Sequence, residues 1–224
     1  MTMSPDNIVF WQWGPLAVNA TLIYTWLVIA LLVGGARLIT LRLSDTAELS
    51  RWQNLLEVVV IGIREQIHQI SRRDPAPFLP FVGTLFLFIA TCNLLSIVPG
   101  YQPPTASLST TTALAICVFV AVPWYGISHE GLLAYLRHYI QPTVLMLPFN
   151  LIGEFSRTLA LAVRLYGNIM SGAVIAGILL SLAPFFFPIL MQLLGLLTGM
   201  IQAYIFAVLA MVYIASATAV RQQK

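Results

Sequence analysis

Hydrophobic runs alternate along most of the chain with short segments that are charged or rich in glycine and proline. Several runs reach about 20 residues, the length of helix that crosses a hydrocarbon core of about 30 Å. Only helices and closed barrels satisfy their backbone hydrogen bonds in lipid, so the pattern predicts an all-α integral membrane protein. We predict one membrane domain over residues 1–224 with five transmembrane helices, at 17–40, 78–98, 108–127, 144–183 and 189–220.

An amphipathic helix is predicted over residues 46–70, between the first two spans. Its apolar side chains recur every three or four positions from Leu49 to Ile70, and charged or amide side chains occupy the other faces. A helix with this pattern is typical of the membrane surface, so we expect an interfacial helix. Two roles stay open, a plain interfacial anchor and a scaffold that docks another subunit.

The last two predicted spans are longer than one crossing needs. A helix over residues 144–183 would measure about 60 Å at about 1.5 Å per residue, about twice the hydrocarbon thickness. Dividing it into two spans would place Arg221 and Lys224 outside, whereas basic residues tend to stay in the cytoplasm. We therefore predict that both helices are strongly tilted, that the N-terminus is outside, and that the C-terminus is cytoplasmic.

Composition and charge support a membrane protein and argue against other classes. Hydrophobic residues make up 59% of the chain and charged residues 8%, against about a quarter charged in a soluble domain. The net charge of +3 comes from basic residues segregated along the chain, so it reports topology and we expect no nucleic-acid partner. Cys92 and Cys117 fall inside apolar runs, where cysteine behaves as a small hydrophobe. We expect no disulfide, metal site or cofactor.

Arg164 is the main candidate functional residue, because it lies near the centre of the predicted span 144–183. A charge at mid-membrane costs about 2.5–3.5 kcal/mol on insertion scales, so it is retained with a partner or a purpose. Arginine stays protonated in proteins, and no acidic residue lies within two turns of this one. Its partner is therefore expected on another helix or another chain.

Other polar residues share a face with that arginine. Arg157 lies two turns earlier, and Glu154 lies three residues before Arg157, close enough to pair with it. The general rule for such residues favours this pair, with Arg157 reaching toward the cytoplasmic side. The same face continues through Asn168 and Ser171.

One face of the last span carries small and amide side chains, namely Gln192, Gly195, Gly199 and Gln202. Such a stripe suits close helix packing with an interhelical hydrogen bond. Packing alone is an ordinary explanation. If the stripe lies against Arg164, however, Gln202 could help to hold the guanidinium and a water molecule beside it.

Two motifs resemble those of the a subunit of F-type ATP synthases. Arg164-Leu165-Tyr166-Gly167-Asn168 is similar to the arginine motif of that family, and Gln202-Ala203-Tyr204-Ile205-Phe206 is similar to its last-helix motif. Shorter resemblances, in the same order along the chain, are Asn93-Leu94-Leu95, Pro99-Gly100 and Pro104-Thr105-Ala106-Ser107-Leu108-Ser109. The resemblance implies a non-catalytic stator subunit in a bacterial inner membrane, with three partners: a rotating ring of c subunits, peripheral-stalk b subunits and the F1 ATPase sector.

The resemblance also implies roles for individual residues. Arg164 would match the essential arginine, which ring carboxylates pass and which blocks leakage between two offset half-channels, and Gln202 would match its neighbouring glutamine. Family members often carry ionisable residues where this chain has Ala173 and Gly195. The outer half-channel would therefore be lined differently, by Asn168, Ser171 and Gln192, or would carry a different ion. The segment from Gly153 to Ala160 resembles an alternate, N-type branch proposed to move sodium.

Two other classes of function remain as alternatives. A self-contained secondary transporter is expected to show interrupted helices in two similar halves, and the sequence contains no internal repeat. A structural membrane scaffold without an ion path leaves Arg164 unexplained.

Overall fold

The computed structural model describes residues 9–13, 16–41, 51–98, 100–132, 135, 146–182 and 187–218. This part of the chain contains six α-helices: α1 Ala20–Thr40, α2 Arg51–Ser71, α3 Leu79–Leu95, α4 Leu108–Glu130, α5 Met146–Leu182 and α6 Phe187–Thr218. A 3₁₀ turn, Pro104–Ala106, precedes α4. The parts of the predicted helices that fall at 46–50, 144–145, 183 and 219–220 lie outside the described residues, as do Arg221 and Lys224.

A short β-hairpin precedes α1, where the sequence patterns predicted only helices. Its strands, β1 Val9–Trp13 and β2 Leu16–Asn19, pair in antiparallel fashion. The first helix therefore starts at Ala20, three residues after the predicted start. Asn19 ends the strand and has an extended backbone (φ −85°, ψ 158°) at the N-cap of α1, as N-cap residues usually do.

Four of the described helices, α1, α4, α5 and α6, are long and apolar enough to cross a membrane. Helix α3 is also apolar but has only 17 residues. A chain with several such helices is a multi-pass membrane protein. The five-span count stays a prediction because α3 is shorter than a usual span. Helices α5 and α6 have 37 and 32 residues, so their predicted excess length is confirmed, whereas their tilt stays a prediction.

Helix α6 is the centre of the bundle, since it packs against α2, α3, α4 and α5. Its inner face buries Phe206, Met211 and Ile214 together with the small residues Ala203 and Ala210. Small side chains let neighbouring backbones approach closely, which is how membrane helices associate where lipid supplies no hydrophobic driving force. The core is completed by Ile89 of α3, Val118 of α4, and Leu161 and Leu165 of α5.

The amphipathic helix α2 turns its apolar stripe toward this core. Ile67 is buried, and Ile63 and Ile70 pack against the core from either side of it. Between α2, α3 and α6 an apolar groove of about 240 Å³ remains. The predicted stripe is therefore confirmed along the second half of α2, and the position of α2 at a membrane surface stays a prediction.

Hydrogen bonds at the helix ends fix which ends lie together. The Tyr24 hydroxyl, near the start of α1, donates to the carbonyl of Gly100 at 3.2 Å, in the loop that follows α3. Gly100 has φ +87°, a conformation that glycine adopts without strain. At the other end the Tyr125 hydroxyl, near the end of α4, donates to the carbonyl of Pro77 at 3.2 Å. Helices α3 and α4 therefore run in opposite directions.

A buried hydrogen bond joins α3 to α6. The Asn93 side-chain amide donates to the carbonyl of Gly199 at 2.8 Å. A Cβ atom on Gly199 would lie 2.8 Å from Cγ of Asn93, so only glycine leaves room for this contact. The sequence predicted such packing for the small-residue face of α6. A Cβ atom on Gly195, on the same face, would meet no other atom within 4 Å.

We expect Gly199→Ala to destabilise the assembled protein, because the added methyl group must displace Asn93. Overpacking of this kind typically costs about 1–3 kcal/mol. Gly195→Ala is the matched control and should leave stability unchanged or slightly raised, since alanine favours helix. The two variants are compared by heating the purified complex and measuring the temperature at which this subunit is lost from it. Equal melting temperatures for the two variants would contradict the proposed contact.

Candidate functional site

Arg164 lies on the outward face of α5. Leu161, Ala162 and Leu165 turn toward the core and are buried, whereas Arg164 and Val163 are exposed. Among the residues that the structure describes, no hydrogen bond or ion pair joins the Arg164 guanidinium to another side chain. The charge is thus presented on the surface of the chain, as expected if its partner belongs to another chain.

Arg157, two turns earlier, has a different environment. Its guanidinium carbon lies 5.7 Å from the centre of the Tyr213 ring on α6, within the range of a cation–π interaction. Arg157 and Glu154 line the same cleft, and their predicted pairing stays a prediction. No sequence pattern pointed to Tyr213, because an aromatic residue in an apolar helix resembles any other core side chain.

A polar cleft of about 370 Å³ opens between the start of α5 and the end of α6. Its lining includes Asn150, Glu154 and Arg157 from α5, Ser216 from α6, and Tyr135. Within an otherwise apolar bundle, a space of this size with several polar partners is large enough to hold water. The cleft therefore places several polar groups together at the end of the bundle where α5 begins.

The contact between Arg157 and Tyr213 sets the register of the antiparallel helices α5 and α6. Each helix rises about 1.5 Å per residue. Arg164 lies seven residues after Arg157 on α5, and Phe206 lies seven residues before Tyr213 on α6, so these two residues are about level. Asn168, one turn beyond Arg164, is about level with Gln202. The two helices therefore place Gln202 about one turn from the arginine along the bundle.

Gln202 is 6% exposed, and its side-chain nitrogen has no hydrogen-bond partner among the described residues. A buried polar group without a partner costs about 1–3 kcal/mol. Water or a group from a second chain would remove this cost. The amide is therefore suited to hold a water molecule near the arginine.

The remaining predicted site residues lie at increasing distances from the arginine along the bundle. Asn168 is half-buried, and Ser171 is exposed with its hydroxyl donating to the Asn168 carbonyl at 3.1 Å. The Gln192 amide donates to the carbonyls of Ser96 at 3.4 Å and Ile97 at 3.1 Å. By the same register, Gln192 lies about 21 Å along the bundle from Arg164. The structure therefore gathers Gln202 and Asn168 near Arg164, and places Gln192 at the far end.

The loop after α3 contains a tyrosine that sequence reasoning passed over. The Tyr101 ring packs edge-on against the Tyr24 ring, with centres 5.0 Å apart. Burial, together with the neighbouring Cys92 thiol, raises the pKa of Tyr101, so its hydroxyl stays neutral at physiological pH. This end of the bundle is therefore held by uncharged groups, in contrast to the cleft beside Glu154 and Arg157.

Comparison with known proteins decides the family. The sequence model described as "ATP synthase A chain" matches residues 22–215, a range that includes Arg164 and Gln202. The chain belongs to the F-type ATP synthase a-subunit family. ATP synthase subunit a 2 of Acaryochloris marina is 63% identical over 222 residues, which cover 99% of this chain and 95% of the relative.

Two further a-subunit relatives extend the similarity over the whole chain. ATP synthase subunit a of Albidiferax ferrireducens is 61% identical over 100% of this chain and 97% of its own length. ATP synthase subunit a 1 of Prosthecochloris aestuarii is 56% identical over 100% of both chains. The resemblance inferred from the two motifs is thus confirmed. As a member of this family, the chain is a component of the membrane sector of an ATP synthase.

In this a subunit, we expect Tyr213→Leu to lower the stability of the α5–α6 pair, because the aromatic face beneath the Arg157 guanidinium is lost. The cation–π contribution at an exposed site is about 0.5–1 kcal/mol. Tyr213→Phe keeps the ring and should unfold at the same temperature as the unaltered protein. Thermal unfolding of the purified complex measures both variants. A Phe variant as unstable as the Leu variant would show that the ring–cation contact contributes nothing.

Proposed function

We propose that this chain is the ion-translocating stator of the ATP synthase membrane sector, in which Arg164 is the fixed cation that ring carboxylates pass. The observation that supports this most strongly is the exposure of Arg164 on the outward face of a helix of 37 residues. Family membership supports the subunit's place in the complex. It gives no support to the alternative of a self-contained secondary transporter.

The surface around Arg164 is apolar. Val163, next to it on α5, and Ile201, about 8 Å further along the bundle on α6, are both about half exposed. A permanent cation on such a surface costs about 2.5–3.5 kcal/mol or more in lipid. A carboxylate on a neighbouring chain would remove much of that cost. The partner of this surface is therefore a membrane-embedded acidic protein, and a ring of c subunits has the required chemistry.

The proposed chemistry follows from Coulomb's law. Two opposite unit charges about 4 Å apart attract by about 4 kcal/mol at an effective dielectric constant of about 20. A ring carboxylate that approaches Arg164 is therefore favoured in its charged form and releases its bound ion. Once it has moved past, it binds a new ion from the other side. Because the arginine remains charged throughout, an ion cannot cross directly from one half-channel to the other.

The remaining site residues are assigned to the two half-channels. The cleft beside Glu154 and Arg157 is the access path on the side where α5 begins, which our topology places in the cytoplasm. Asn168 and Ser171 continue the path beyond Arg164, Gln192 lies at its outer end, and Gln202 holds water beside the guanidinium. The chain would cross a bacterial inner membrane five times, with α3 as the shortest span, and would contact b subunits and, through the complex, the F1 sector.

We expect Arg164→Ala to abolish ATP-driven ion transport while the complex still assembles, because the side chain is exposed and contributes nothing to the core. Transport is measured in vesicles that contain the whole complex, and assembly is measured by copurification of the c ring and the F1 sector. Val163→Ala, at the neighbouring exposed position, should leave both unchanged. Normal transport in the Arg164→Ala complex would rule out the proposed role.

The transported ion is identified by a separate experiment. The ion is bound by a carboxylate site on the ring, so the a subunit alone does not define it. ATP-driven transport is measured in vesicles while sodium concentration and pH are varied independently. Transport that requires sodium at constant pH identifies sodium, in line with the N-type resemblance, whereas transport at full rate without sodium identifies protons.

A further inference from the structure

The last part of the loop that follows α3, residues 104–107, is buried although it contains polar side chains. The 3₁₀ turn Pro104–Ala106 packs against α1, α3, α4 and α5, and Thr105 and Ser107 are both fully buried. Connecting segments normally run over the protein surface, because a buried loop must satisfy its polar groups internally. This turn therefore holds polar atoms inside the bundle.

Besides the Tyr101 hydroxyl, which lies beside the Cys92 thiol, three side-chain oxygen atoms in this region are buried without a hydrogen-bond partner among the described residues. They are Oγ1 of Thr105, Oε1 of Gln102 and Oδ1 of Asn19. Asn19 is the N-cap residue of α1, yet its side chain does not cap the helix. Each unpaired buried group typically costs about 1–3 kcal/mol, so three together need a partner.

Neighbouring serine and threonine hydroxyls do find partners, so burial in this loop does not by itself leave a hydroxyl unpaired. The Ser107 hydroxyl oxygen accepts from the Ser109 amide at 3.2 Å and caps α4. The Thr111 hydroxyl donates to the carbonyl of Leu108 at 3.1 Å. Thr105 and Thr111 are both 0% exposed, but only the Thr105 hydroxyl lacks a partner among the described residues, so Thr111 serves as its control.

The three unpaired residues form a gradient of burial. Asn19 and Gln102 are half-buried, and Thr105 is fully buried in the turn that contacts α5, the helix of Arg164. The loop lies at the end of the bundle where Gln192 reaches the carbonyl of Ile97. This end is opposite the cleft that holds Glu154 and Arg157. An ion that enters at one end and leaves at the other needs a polar path at both.

We infer that Asn19, Gln102 and Thr105 line an outer crevice that holds water and passes the transported ion by means of neutral oxygen ligands. Water bridges unsatisfied polar groups in buried sites, and neutral oxygen atoms replace the hydration shell of a monovalent cation in membrane pores. The inference rests on the proposed function, because it assigns the outer access path of the same ion. It extends that path to the first helix of the chain.

Thiol labelling tests whether water reaches the turn. In the assembled complex in vesicles, with Cys92 and Cys117 replaced by alanine, Thr105→Cys is treated with silver ions, and Val118→Cys in the dry core is the control. We expect silver to inhibit ATP-driven transport of the Thr105→Cys complex at least about tenfold faster than that of the control, because silver reaches a thiol only through water. Equal rates would overturn the inference.

Substitution by valine tests whether the oxygen atom contributes to transport. Thr105→Val keeps the shape and removes the hydroxyl, and we expect transport to slow about fivefold, consistent with the loss of one hydrogen bond. Thr105→Ser should restore the rate. Thr111→Val removes a hydroxyl that already has a protein partner and should transport at the normal rate. If Thr105→Val and Thr111→Val transport equally fast, Thr105 does not line the path.

The two proposals fail in different ways. Loss of coupling in Arg164→Ala, together with slow labelling of Thr105→Cys, would leave the stator function in place and overturn the crevice. Normal coupling in Arg164→Ala would instead remove the stator function, whatever the labelling of Thr105→Cys shows.

Discussion

The structure is organised around the cost of a fixed charge in hydrocarbon. An arginine in a lipid-exposed position is stable only if something else in the membrane compensates it. Within the described residues, Arg164 lies on a face of α5 that is turned away from the core, while Arg157 finds the Tyr213 ring of α6. Two arginines on one helix therefore have different environments, and Arg164 marks the surface that we propose another chain completes.

The bundle that holds this surface depends on close backbone contacts. Alanine residues on α6 bring it against its neighbours, and Gly199 lets Asn93 reach a main-chain carbonyl. Such contacts are stiff because they leave no room for side-chain rearrangement. The exposed faces of α5 and α6 are thus held by residues on the opposite side of each helix, as the proposed stator role requires.

The sequence predicted those features that depend on a pattern repeated over many residues. It was less informative about features that depend on a single tertiary contact. Hydrophobic run length predicted the long helices α5 and α6, and their motifs predicted the family, because both signals accumulate along the chain. The hairpin before α1 was missed because the strand Leu16–Asn19 is as apolar as the helix that follows it, so the hydrophobic run continues across the boundary. Tyr213 was also missed, and Thr105 was noted only as part of a motif, because the surroundings of both depend on residues that are distant in sequence. The helix boundary at Ala20 likewise depends on a strand partner, Val9–Trp13, that no local pattern specifies.

The central position of α6 has a consequence for biosynthesis. Of the described helices it is the last to leave the ribosome, yet α2, α3, α4 and α5 all pack against it. Until it inserts, Asn93 remains in the membrane without the carbonyl that it binds in the finished bundle. The nascent chain therefore passes through a stage in which a polar side chain lacks its interhelical partner, and a membrane insertase or a quality-control protease could distinguish unfinished chains from complete ones at that position.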